Sequence, residues 1–179
     1  MKRSFENPLI GDKVYFTKYA TEPGSSASLI DVELKPGGGN GLHYHKTFAE
    51  HFECLEGELS IQVGKEILRL HPGETATAPA GQLHRFFNDS NRPNRFRVTI
   101  DPGHTGFENT LKIAYGLASD GFVTKVGMPK KLWHMGTIIL LSDTNLPGFF
   151  SLIQRPLAWM ARRAMADGRF KRELEPYTR

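Results

Sequence analysis

His43 and His45 stand two residues apart, with Glu50 shortly after them and His84 at the head of a later apolar segment. Residues two apart share a face on an extended strand, whereas on a helix they diverge. The pair can act together only if this stretch is extended, so the chain around it has to be a sheet whose interior collects imidazoles. Lys46-Thr47-Phe48-Ala49 is enough chain to turn a corner and begin the neighbouring strand. From Glu50 to Leu55 the alternation puts Glu50, Phe52 and Cys54 on one face, read as the interior. His51, Glu53 and Leu55 take the other face, and Glu56-Gly57 closes the strand with a turn.

The same pattern recurs downstream. Pro72-Gly73 and Pro79-Ala80-Gly81 are turn sequences on either side of the short extended run Thr75–Ala78. His84 then opens the strand His84–Asn88, with Phe86 on its own face. A single histidine in such a place is usually structural. Three neutral imidazoles and a carboxylate in two linked spacings instead suit one divalent transition metal: Fe, Mn, Ni, Cu, Co or Zn. Phe52, Cys54 and Phe86, on the inward faces, are expected to line the pocket beside it. Cys54 in that position reads as a small buried hydrophobe.

Written out, the two stretches are Gly37-x5-His43-x-His45-x4-Glu50-x6-Gly57 and Gly73-x5-Pro79-x-Gly81-x2-His84-x3-Asn88. They resemble the two signature motifs of the cupin superfamily at every fixed position. The intervening segment, Glu58 to Pro72, has the short length of small single-domain members. The resemblance implies a mainly β fold, a jelly-roll or double-stranded β-helix barrel. It also implies that the metal ligands are His43, His45, Glu50 and His84. Similarity to quercetinase-like cupins implies a second role for Glu50, as a carboxylate that loosens from the metal and serves as the catalytic base. Cupins host very different chemistries, so the reaction does not follow from the fold.

Around the motifs, residues 12–18 and 27–34 read as entry strands, with Ile30, Val32 and Leu34 on one face. The Pro36–Gly41 run leads into the His-x-His strand with no Lys-Ser/Thr after it, so it reads as a flexible rim loop, not a phosphate cradle. Ile61 to Leu70 forms a hairpin, and Arg95–Ile100 alternates as a last strand. From Gly106 the period changes. Phe107, Leu111, Ala114, Tyr115 and Ala118 recur at helical spacing, Leu132–Leu141 reads as a short buried helix with a strand as the alternative, and Phe149–Met165 carries an apolar stripe interrupted by Pro156. The expected organisation is a cupin barrel over residues 1–105 and a mostly helical C-terminal extension over 106–179, packed on the barrel or on a partner subunit.

Charge separates the same two regions. Residues 1–127 hold 14 Lys/Arg against 15 Asp/Glu, while 128–179 hold 9 against 4. The basic excess belongs to the tail, which argues against a nucleic-acid groove on the barrel. One cysteine rules out an internal disulfide. No apolar run resembles a signal peptide or a membrane span, so a cytoplasmic protein is expected. The stripe over 149–165 fits a homodimer interface, with a membrane surface as the minor alternative. The inward strand faces carry no Lys or Arg, and Arg85 alternates outward. Apolar walls around a metal favour an enzyme of dioxygenase-like type acting on a small apolar or aromatic molecule. The alternatives are a metal-dependent lyase or isomerase without redox change, and a non-enzymatic small-ligand-binding or sensing protein.

Overall fold

The computed structural model describes residues 2–9 and 12–179. Nine strands occur among them: β1 (Ser4–Glu6), β2 (Lys13–Lys18), β3 (Ser28–Leu34), β4 (Ala49–Glu56), β5 (Leu59–Val63), β6 (Glu66–Leu70), β7 (Thr75–Ala78), β8 (His84–Phe87) and β9 (Asn94–Asp101). They form two antiparallel sheets, ordered β1-β2-β3-β9-β4-β7 and β6-β5-β8. The crossovers in this order are those of a jelly-roll barrel, with the core between the two sheets.

Register explains the interior. Glu50 pairs with Ile100, which also faces Ser28. The next inward row is Phe52, Val98, Ile30 and Phe16, and the one after it is Cys54, Phe96, Val32 and Val14. All but Val32, Val14 and Val98 among these apolar residues are at most 1% exposed, and those three stay below 7%. The period of two therefore turns one face of each strand into core, as the alternation requires.

The His-x-His stretch is extended but belongs to no regular strand. It is held by isolated bridges, His43 to His84 and Tyr44 to Asn145. His43 and His84 exchange both backbone hydrogen bonds, at 3.0 and 2.8 Å. The preceding glycine loop is tied down as well. Asn40 N–H donates to the Phe86 carbonyl at 3.1 Å, and Phe86 N–H donates to Asn40 Oδ1 at 2.9 Å. Gly39 has φ +151°, and a Cβ there would come within 2.6 Å of the Phe86 carbonyl oxygen. Only glycine lets this loop lie so close along β8.

The C-terminal part is helical: α1 (Thr105–Ser119), α2 (Leu132–Leu141), α3 (Phe150–Ala166), α4 (Arg169–Glu173) and a last 3-10 turn (Glu175–Thr178). Ile113, Leu117, Ala118, Trp133, Ala164 and Leu174 make a second small core among them, while Tyr115 joins the core of the barrel. In α2 the fully buried face is Trp133, His134, Gly136 and Thr137, and Leu132 is exposed. The reason is a close crossing with α3, because a Cβ at Gly136 would collide with the Leu157 carbonyl. α3 is one helix with Pro156 inside it. Its inner face is Leu157, Ala161 and Ala164, whereas Phe149, Phe150, Leu152 and Trp159 are each more than half exposed. Among the described residues no helix is long and apolar enough to cross a membrane.

Candidate metal centre

His43, His45, Glu50 and His84 meet inside the barrel, all at most 8% exposed, with one donor atom from each lying within 4.8 Å of the others. β4 supplies Glu50 and β8 supplies His84. His43 sits on the backbone bridge to His84, and His45 follows on the far side of the Tyr44–Asn145 bridge. Each imidazole has its Nδ1 against a backbone carbonyl: His43 on Gly41 at 2.8 Å, His84 on Gln82 at 2.9 Å and His45 on Ser142 at 2.9 Å. A carbonyl only accepts, so Nδ1 carries a proton in all three rings, and in the neutral form of each ring Nε2 is the lone pair.

Those lone pairs converge. His43 Nε2 and His45 Nε2 are 3.0 Å apart, and the Glu50 oxygens lie 3.3 Å from His45 Nε2 and from His84 Nε2. His84 Nε2 is shut from solvent and has no partner in hydrogen-bonding geometry. Three neutral nitrogen lone pairs and a carboxylate facing one another repel unless a cation lies between them. The donor set therefore fits a borderline divalent metal, and these four residues would hold it.

Electrostatics agree with this arrangement. Burial pushes the His43 imidazole down to about 4, so the ring stays neutral. Burial alone would raise the Glu50 carboxyl, but the His45 and His84 imidazoles beside it outweigh burial and hold the group well below the usual range. Burial would lower His84, yet Glu50 beside it wins and raises it. A raised His84 holds its proton more firmly than free imidazole, and that proton must leave before a metal binds. Metal content is therefore expected to be full near pH 8 and to fall as pH drops through about 6.5, the unperturbed imidazole value. Dialysis at stepped pH followed by elemental analysis checks this, and undiminished content at pH 5 would contradict it.

His43 and Glu50 reach the wall of a cavity of about 370 Å³. Of the three residues expected beside the metal, Phe86 lines this cavity, whereas Phe52 and Cys54 do not. Phe52 packs against His84, Phe86 and Phe96 in the closed core. Cys54 is fully buried one row deeper, its Sγ 3.6 Å from the Gly57 carbonyl, and burial raises its thiol so that it stays protonated. Alternation fixed which way these side chains point, but it could not show how far along the barrel the cavity extends.

Several wall residues carry no sequence signal of a pocket. Phe107, Leu111 and Tyr115 come from α1, Ile138 from α2, and Ser142, Thr144 and Leu146 from the segment after α2. That segment also braces the centre. Besides the Ser142 carbonyl on His45, Asp143 Oδ2 accepts from Lys46 N–H at 2.7 Å, Thr47 N–H at 2.9 Å and the Thr47 hydroxyl at 2.9 Å. Asp143 itself has φ +50°.

Comparison with known proteins agrees with the geometry. Residues 30–106 match the family described as the Cupin domain. The chain is 35% identical over 78 residues to the tetracenomycin polyketide synthase protein TcmJ of Streptomyces glaucescens, covering 44% of this chain and 52% of that protein. It is 27% identical over 109 residues to quercetin 2,3-dioxygenase of Bacillus subtilis, covering 60% of this chain and 32% of that enzyme. It thus spans about half or less of the length of these curated relatives. Among solved structures, a cupin-2 domain protein from Rhodospirillum rubrum aligns over 54% of this chain and 61% of its own, at 21% identity and TM-score 0.46. With the two-sheet barrel, the His-His-Glu-His cluster and the matched segment in agreement, residues 30–106 of this chain are a cupin domain of the cupin type-2 kind.

Proposed function

We propose that this protein is a metal-dependent enzyme of dioxygenase-like type that acts on a small apolar or aromatic organic molecule. The observation that carries the reading is the convergence of three imidazole Nε2 atoms and one carboxylate at the wall of a largely apolar cavity. Val14, Ile30, Val32, Val98 and Leu111 line it, and no lysine or arginine does among the described residues. A phosphorylated sugar would find no counter-charge there, whereas an aromatic body would displace water from the walls. Sequence similarity to quercetin 2,3-dioxygenase and to a polyketide synthase protein supports the same substrate class.

The metal, once bound, would supply Lewis acidity and, if it is redox-active, a route for electrons between substrate and oxygen. The protein's own part is positioning and proton handling. His43 and His45 present fixed lone pairs through their carbonyl-bound Nδ1–H groups. Glu50 brings the one negative charge and lies at the cavity wall, where a carboxylate can take a proton from a bound hydroxyl. With Fe, Cu or Ni loaded, the protein is expected to consume oxygen in the presence of a flavonol, a diketone or a small phenol. Glu50→Gln, which keeps shape and removes charge, should lower that rate about 100-fold or more while metal content falls far less. Silence across such a panel, with turnover by the zinc-loaded protein on a non-oxidative substrate, would move the assignment to a lyase or isomerase.

The barrel (1–105) and the helical segment (106–179) are read as one working unit, since the segment supplies part of the cavity wall. A homodimer through α3 goes with it. Exposed Phe149, Phe150, Leu152 and Trp159 leave an apolar face whose burial contributes roughly 1.5–3 kcal/mol per side chain. Phe149→Ser/Phe150→Ser/Leu152→Ser is expected to halve the mass measured by light scattering and to leave metal content unchanged. A variant that keeps the wild-type mass but no longer binds anionic vesicles would point to a membrane surface instead.

A further inference from the structure

The cavity has a second polar end. Asp12 precedes β2 and faces the same side as Val14, one inward row beyond the Cys54–Phe96–Val32–Val14 row. It is 7% exposed and lines the same cavity as Glu50 and His43. Tyr115 on α1 also lines it and donates its hydroxyl to Asp12 Oδ2 at 2.6 Å. The other carboxylate oxygen, Oδ1, is buried and has no hydrogen-bond partner among the described residues. The other hydroxyls of the wall are spoken for. The Thr110 hydroxyl donates to the Ile138 carbonyl, and the Ser142 hydroxyl is shared between Ile138 and Thr144. A buried carboxylate oxygen without a partner is rare, because desolvation is not offset by any bond.

We propose that Asp12 and Tyr115 form a substrate subsite that hydrogen-bonds a hydroxyl group at the end of the substrate remote from the metal cluster. A hydroxyl fits either protonation state, donating to a carboxylate and accepting from a carboxylic acid. Burial raises the Asp12 carboxyl above its ordinary value, which makes that versatility useful. Asp12 lies three row steps from Glu50, with two inward rows between them. At two residues per row and ~3.3 Å per residue, the two Cα atoms stand roughly 20 Å apart in a flat sheet, less once the sheet twists, and the two side chains, a bound metal and the hydrogen bonds at either end take up much of that. One six-membered ring does not bridge it. The ligand class is a multi-ring phenol or alcohol with an oxygen at each end, and this deepens the functional reading above and rests on it.

The test compares 3-hydroxyflavone with 3,4′-dihydroxyflavone, which differ by one remote hydroxyl, on zinc-loaded full-length protein by calorimetry. Wild type is expected to prefer the dihydroxy compound about tenfold, the worth of one good hydrogen bond. Asp12→Leu/Tyr115→Phe, which removes both partners together, should bring the ratio near one while affinity for 3-hydroxyflavone, zinc content and melting temperature stay within error. Tyr115→Phe alone should reduce the preference in part. If wild type binds both compounds and the double variant keeps the tenfold preference, or loses affinity for both equally, the subsite is overturned and the aromatic-substrate reading stands. If wild type binds neither, the aromatic-substrate reading fails and the subsite falls with it.

Discussion

His43→Ala combined with His45→Ala is expected to strip the protein of its metal. Removing two of four donors exceeds the loss of a supporting hydrogen bond, which alone costs 10–100-fold in affinity, so a fall of more than ~100-fold is expected. Elemental analysis after gel filtration gives the content directly. Thermal melting gives an independent readout, because a ligand that binds only the folded state raises its melting temperature. Added zinc or nickel should raise the melting temperature of wild type and leave that of the double variant unmoved. Full metal content in the variant would remove the centre from these residues altogether. Glu50 and His84 alone would then have to be a structural pair, 3.3 Å apart in a closed core.

Asp143 is the second position with a large expected effect, although it offers the metal no donor atom of its own and meets the His45 ring only through its carbonyl, 3.3 Å from Nδ1. Its Oδ2 accepts two backbone N–H groups and a hydroxyl from Lys46 and Thr47, directly after His45. Its neighbour Ser142 fixes the His45 ring through the carbonyl at 2.9 Å. Loosening this brace frees the ring to rotate, and metal affinity should fall 10–100-fold. Three substitutions separate the causes. Asp143→Asn keeps an acceptor and suits a positive φ, so its loss should be the smallest. Asp143→Gly relieves the backbone but loses the acceptor. Asp143→Ala does both kinds of harm, since φ +50° is unfavourable for alanine. The expected order of affinity, read by competition with a chelating dye, is wild type, Asn, Gly, Ala. If alanine retains wild-type affinity, the contacts around Asp143 hold the loop and not the centre.

What the sequence made readable is what short-range spacing encodes. The step of two between His43 and His45, and between Glu50, Phe52 and Cys54, fixes which side chains face inward whatever the rest of the chain does. The cavity is another matter. Tyr44 pairs with Asn145 and His45 leans on Ser142, partners about a hundred residues away with no local mark of their relation. Asp12 looks like the ordinary polar start of a strand, and Tyr115 like one more residue on a helical face. Leu132–Leu141 misleads in a related way. Its apolar residues suggest burial all round, but a glycine crossing with α3 chooses Trp133, His134, Gly136 and Thr137 as the inner face.

The bond from His45 to Ser142 also imposes an order on biosynthesis. All four donors are on the nascent chain once His84 has been added, but the carbonyl that orients His45 comes 58 residues later. At about 5–20 residues per second the interval is roughly 3–12 s. Through that time the growing chain offers an incomplete set, with one imidazole free to turn. Tight capture of an ion therefore belongs to the finished protein, and the metal present when synthesis ends has the advantage over one met earlier.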